Sequence, residues 1–170
     1  ERRIGLVYGG GSFGLMGAVA TAVLQHGGHV TGVIPEFLTD REKTLREAQE
    51  IIVTRDMHQR KQIMFDRADA FVALPGGIGT LEETVEQMTW AQLGRHQKPV
   101  LIANIGGFWN PLIELLDHMK RERFIRSGMD ISCLVADRAE DVVPLLKRAA
   151  AERSQAALEQ TATAEPLSRM

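Results

Sequence analysis

A single cysteine, Cys133, leaves this 170-residue chain without any internal disulfide framework. It stands in the apolar stretch Ile131-Ser-Cys-Leu-Val135, which predicts a strand and a buried, inert thiol suited to a reducing compartment. Long hydrophobic runs are also missing, so no segment is apolar over the length a bilayer requires. Charge of one sign is missing too: 20 Lys and Arg stand against 22 Asp and Glu. No basic field therefore offers itself to nucleic acid or to an anionic membrane surface. His58 has no partners at metal-ligand spacing, and neither a metal nor a cofactor is expected. There is no internal repeat and no break in composition that would begin a second domain. The expectation is one cytoplasmic domain, and 44% apolar residues suffice for a sizeable core.

What is present is alternation. Ile4 to Tyr8, His29 to Ile34, Ile51 to Val53, Ala70 to Leu74 and Lys98 to Asn104 are short apolar runs of strand type. Helical patterns separate them: Ala18 to Leu24, a segment opening at Asp56, a segment opening at Thr80, Phe108 to Arg123 and Ala139 to Ala151. On the third of these, Leu81, Val85 and Met88 are expected on one face, and on the fourth Leu112, Leu115, Leu116 and Met119 are expected inward. Thr39 to Glu50 is charged and reads as a solvated helix or loop. From Glu152 the composition of Ala, Gln, Thr, Ser and Glu predicts a frayed tail. Strands alternating with helices imply an α/β single domain, its parallel sheet covered on both faces. Glu1 is not a start methionine and a strand follows at once, so residues upstream of this stretch are expected.

The stretch Pro75-Gly-Gly-Ile-Gly-Thr-Leu-Glu-Glu83 carries the strongest chemical signal. A glycine turn between strand and helix leaves backbone N–H groups bare at the positive end of the helix dipole, which suits a phosphate. Glu82 and Glu83 are expected in the first turn, within reach of a sugar attached to that phosphate. A purely local reading also fits, because Thr80-x-x-Glu83 matches a capping box in which Glu83 bonds only backbone. A second glycine turn, Gly9-x-Gly11-x-x-Gly14, fits the dinucleotide fingerprint, with Glu36 at the required distance beyond it. Asp56-Met-His-Gln59 predicts an N-cap with a capping glutamine, followed by Arg60 and Lys61. Two cations near a helix start oppose the dipole unless an anion lies nearby.

Three segments together resemble the LOG (Lonely Guy) family. Pro75 to Glu83 matches its Pro-Gly-Gly-x-Gly-Thr-x-x-Glu signature, and Gly9-Gly-Gly-Ser-Phe-Gly-Leu-Met-Gly17 and Met57-His-Gln-Arg-Lys61 match its companion segments. Thr89-Trp-Ala-Gln-Leu-Gly94 and Lys98-Pro99 agree as well, and the likeness runs from residue 1 to about residue 150. The resemblance implies a Rossmann-like, doubly wound parallel sheet, usually in a homodimer whose sites draw on helices near the interface. It implies an earlier strand and helix carrying a Cys-Gly-Ser-Ser-like loop, which this sequence does not contain. It also implies a cytokinin-activating phosphoribohydrolase that splits an AMP-like or isopentenylated nucleoside 5′-monophosphate into free base and ribose 5-phosphate. The family's older label, lysine decarboxylase, finds no lysine here in a pyridoxal-phosphate context.

By position, the resemblance makes Arg60 and Glu83 the catalytic pair. Lys61, Gly76, Gly77, Ile78, Gly79, Thr80, Glu82 and Thr89 would bind the nucleotide, with Gly11 and Ser12 near the phosphate and Glu42 on the substrate. A non-hydrolysing nucleotide sensor is the alternative. A dehydrogenase built on the Gly9 fingerprint is a third reading, opposed by Pro35, which ends the second strand where the ribose-binding acid belongs.

Overall fold

A computed structural model describes residues 4–39, 45, 47–125 and 133–163, without the side chains of 154 and 156–163. The fold is α/β, with parallel sheets flanked by helices, and the chain divides into two compact units, Glu1–Ala68 and Asp69–Met170. Each carries a three-stranded parallel sheet whose strands follow chain order, as in one half of a Rossmann-like fold.

The first unit contains β1 (Leu6–Tyr8), α1 (Gly14–Gln25), β2 (Val30–Pro35), β3 (Glu50–Thr54) and α2 (Met57–Arg67). Leu6 lies opposite Val30, and Gly32 opposite Ile51. The middle strand β2 is buried throughout, as a parallel strand covered on both faces must be. Tyr8, Ala20 and Val30 form the core, with Leu6, Val23, Leu24, Leu45 and Ala48 packed around them. The turn from β1 into α1 folds back tightly. A Cβ on Gly17 would stand 2.0 Å from the Ser12 carbonyl oxygen.

The second unit contains β4 (Phe71–Ala73), α3 (Ile78–Gln92), β5 (Val100–Ala103), α4 (Asn110–Arg121), β6 (Leu134–Ala136) and α5 (Ala139–Thr163). Leu101, Ala103 and Ala136 form its core under Val142, Leu145 and Leu146 of α5. At the carboxyl end of β5, the buried Asn104 ties three segments together. Its Nδ2 donates to Asn110 Oδ1 at 2.9 Å and to Asp137 Oδ1 at 3.0 Å, while its Oδ1 accepts from the Trp109 N–H at 2.8 Å.

Several expectations need correction. α3 starts at Ile78 rather than Thr80, and its buried residues are Thr84, Gln87 and Met88, whereas Val85 is 42% exposed. Thr84 is tolerated inside because its hydroxyl donates to the Thr80 carbonyl at 2.6 Å. α4 is shorter than expected and buries no residue, and Leu115 and Met119 are 48% and 37% exposed. α5 continues past Ala151 to Thr163, since Ala, Gln, Glu and Leu are all good helix formers. Cys133 is half-buried just before β6, and burial pushes its thiol up from the ordinary value. Ile131 and Ser132 lie outside the described residues.

Candidate functional site

In the first unit the polar groups of interest project from α2. Asp56 caps this helix as its sequence predicts: Oδ1 accepts from the Gln59 N–H at 2.8 Å. The reciprocal bond departs from the expected box by one residue, because Gln59 Oε1 accepts from the N–H of Arg55 at 2.9 Å. The Gln59 bond, and behind it Arg55, holds the Asp56 carboxyl below its ordinary value.

Arg60 and Lys61 follow on the half-buried side of α2, while His58 is exposed. A solvated pair of surface cations is therefore not what the structure shows. Arg60 reaches β2 and the residue after β1, with Nε donating to the Val33 carbonyl at 3.2 Å and Nη1 3.8 Å from the Met57 sulfur. Two fixed contacts on one guanidinium reduce the rotamer freedom that a long cation otherwise keeps.

The first glycine turn is filled from within. Gly9, Gly10 and Gly11 are buried, Ser12 is half-buried, and the Gly10 carbonyl accepts from the Leu45 N–H at 3.1 Å. Of the two residues expected near the phosphate, Ser12 is the more accessible. α1 begins after Phe13 with no side-chain cap, so its first N–H groups have no side-chain acceptor. Glu36 sits on an exposed turn, Glu36–Leu38, beyond the end of β2. Buried glycines and an acid beyond the strand both weigh against a dinucleotide pyrophosphate.

The second glycine turn is open. α3 begins after Gly77 with no side-chain cap, and Gly77, Ile78 and Gly79 are all exposed, Ile78 by 82%. A Cβ on Gly77 or Gly79 would meet no protein atom within 4 Å. Gly76 differs, because a Cβ there would collide with the Thr80 hydroxyl. The turn thus presents bare backbone N–H groups at a helix start, the arrangement that receives anions. The helix has no acid in its first turn, so Glu82 and Glu83 belong to its second. With Gly77 as the N-cap, Thr80 cannot be one, and the capping-box reading of Glu83 falls. Glu82 is exposed and Glu83 half-buried.

Thr89 lies about 18 Å along α3 from Gly77, and its exposed hydroxyl donates to the Val85 carbonyl at 2.7 Å. The structure does not bring it to the glycine turn that opens its own helix. Glu42 lies outside the described residues. At the far end of α3, buried His96 uses both ring nitrogens: Nδ1 accepts from the Lys98 N–H at 3.1 Å and Nε2 donates to the Gln87 carbonyl at 3.1 Å. Burial first, with the charges of Lys98 and Arg153 behind it, holds this imidazole below its ordinary value against the bond to Gln87.

Sequence reasoning missed the closeness of Gly9 to Arg60. A Cβ on Gly9 would stand 2.3 Å from Arg60 Nη2. No local pattern signals this pairing, because α2 reaches β1 only through the fold.

Among the described residues, no group of three or more His, Cys, Asp or Glu could hold a metal ion, and no helix is long and apolar enough to cross a membrane. A family model described as "Possible lysine decarboxylase" matches residues 16–146. Cytokinin riboside 5′-monophosphate phosphoribohydrolase LOG7 of Arabidopsis thaliana is 50% identical over 147 residues, 86% of this chain and 68% of the relative. LOG1 of the same plant, which has the same activity name, is 48% identical over 86% of this chain and 69% of its own length. A probable phosphoribohydrolase of Oryza sativa subsp. japonica, LOG4, is 48% identical over 89% of this chain and 66% of its own. The chain thus spans about two thirds of the length of these relatives.

Proposed function

The chain belongs to the LOG family, and from that premise we propose that it hydrolyses the N-glycosidic bond of a purine nucleoside 5′-monophosphate, releasing free base and ribose 5-phosphate. The curated relatives are named for cytokinin riboside 5′-monophosphates, so an isopentenylated adenine nucleotide is the first substrate to try and AMP the second. One observation carries the reading: an exposed, uncapped helix start made of glycines, with a half-buried carboxylate, Glu83, in the following turn.

Breaking the bond between C1′ and the base nitrogen places positive charge on the ribose. A carboxylate beside that carbon then gains more in the transition state than in the ground state. Glu83 holds the ribose hydroxyls, stabilises this charge and orients the attacking water, whose oxygen becomes the C1′ hydroxyl. The departing base takes up the proton that this water gives up, so that the water is divided between the sugar and the base. Arg60, always charged, supplies a fixed positive field and assists departure of the base without donating a proton. Gly76 to Thr80 and Lys61 bind the nucleotide, with Gly11 and Ser12 near the phosphate and Glu82 and Glu42 toward the sugar and base. No metal or cofactor enters the scheme.

A homodimer is part of the same proposal. α4 buries none of its residues although Leu115 and Met119 face outward, and Leu93 at the end of α3 is also exposed. These exposed apolar side chains are what supports the homodimer reading. Thr89, remote from its own turn, would then serve the partner's site. Sedimentation of the purified protein as a monomer at micromolar concentration would refute this. Cys133, half-buried with a raised thiol pKa, fits a cytoplasmic location.

The activity is tested by chromatography of base released from AMP and isopentenyladenosine monophosphate. Wild type should release base from at least one, and Glu83→Gln should be slower by at least about a hundredfold at an unchanged unfolding midpoint. Nucleotide binding without base release would instead identify a sensor.

A further inference from the structure

We infer that Gly9 is a positioning residue for Arg60, and that its missing side chain is the seat of the Arg60 guanidinium. The inference rests on the reading of Arg60 as catalytic. Three described groups lie against that guanidinium. Nε is tied to the Val33 carbonyl within β2, and Nη1 lies against the sulfur of Met57, one helical turn earlier on α2. The third is Gly9, directly after β1. A Cβ built there would stand 2.3 Å from Nη2 and 3.5 Å from Cζ, and the first of these distances is impossible for real atoms.

The neighbouring glycines have other reasons to be glycine. Gly10 has φ of +82°, a left-handed conformation that side chains rarely adopt, and its Cβ would crowd Ile34. Gly17 faces backbone, the Ser12 carbonyl. Gly9 has neither constraint. It is absent from the positive-φ residues, and the atom its Cβ would strike is the tip of a flexible side chain. A methyl group at Gly9 is therefore absorbed by moving the guanidinium, not the fold. The first glycine of what looks like a dinucleotide fingerprint thus serves a cation rather than a pyrophosphate.

The experiment is Gly9→Ala, assayed for base release from AMP and for thermal unfolding, beside Arg60→Ala, Arg60→Lys and the double variant Gly9→Ala/Arg60→Lys. The expected result is an unfolding midpoint and KM close to wild type with kcat lower by about a hundredfold, the effect of misplacing a catalytic group by about 1 Å. Arg60→Lys lacks the nitrogen that the Cβ would meet, so adding Gly9→Ala to it should lower kcat no further. A Gly9→Ala enzyme with wild-type kcat, when Arg60→Ala is inactive, overturns the inference. So does an equal loss of kcat, or a lower midpoint, in both backgrounds, because the clash would then lie with the loop itself. Wild-type turnover by Arg60→Ala is a separate outcome: it overturns the catalytic reading of Arg60, on which this inference stands.

Discussion

The two glycine-rich turns look alike in sequence and differ in kind. Each follows a strand, opens a helix without a side-chain cap and contains at least three glycines. In the first, Gly9, Gly10 and Gly11 are buried, and Arg60, Ile34 and the Leu45 N–H occupy the space around them. In the second, Gly77 and Gly79 are exposed, and no protein atom would touch a side chain placed on them. Glycine is used once where the protein approaches itself, and once where the space beside the backbone is open. Motif matching does not separate these uses, because it records only the missing side chain and not what fills its place.

Substitution separates them. The largest effect is expected at Gly17, where a methyl group would meet the backbone oxygen of Ser12 at 2.0 Å. Gly17→Ala should destabilise the protein by about 1–3 kcal/mol, as overpacking against rigid backbone does, read from the urea midpoint. Gly77→Ala should do the reverse, with stability within about 0.5 kcal/mol of wild type and KM for AMP raised about tenfold, the loss of roughly one charge-assisted hydrogen bond. Equal destabilisation by the two would erase the contrast.

A smaller effect should come from the far end of α3, the helix that carries the open turn. His96 is held below its ordinary pKa, so the unfolded chain takes up a proton there before the folded one does. Its contribution to stability is complete above the unfolded value of about 6.5 and is lost as pH falls through that value toward the lower folded one. Urea midpoints measured from pH 7.5 to 5.5 should fall more steeply in wild type than in His96→Gln. Parallel curves would show that His96 does not anchor α3.

Much of this was legible in the sequence for identifiable reasons. The strands announce themselves as apolar runs, and the Asp56–Gln59 cap depends on two residues within one turn. The start of α3 was less legible. Glycine's poor helix propensity argues for Thr80, yet the chain is already helical at Ile78, because the packing of Thr84, Gln87 and Met88 fixes the helix axis. The burial of Thr84 and Gln87 in place of Val85 was hidden from hydropathy, which cannot see the Thr84 hydroxyl bonded to the Thr80 carbonyl. The Gly9–Arg60 contact was not legible at all, since it joins a strand end to a helix through tertiary structure alone.

Asn104 has a consequence for motion. Its amide uses both its nitrogen and its oxygen to hold Asn110, Asp137 and the Trp109 N–H. The Trp109 proton can exchange with solvent water only when that bond opens, and a swing of the Asn104 amide that opens it also releases Asn110 and Asp137, at the start of α4 and just after β6. These two segments, distant in sequence, should therefore share one opening free energy and exchange their amide hydrogens as a single cooperative unit.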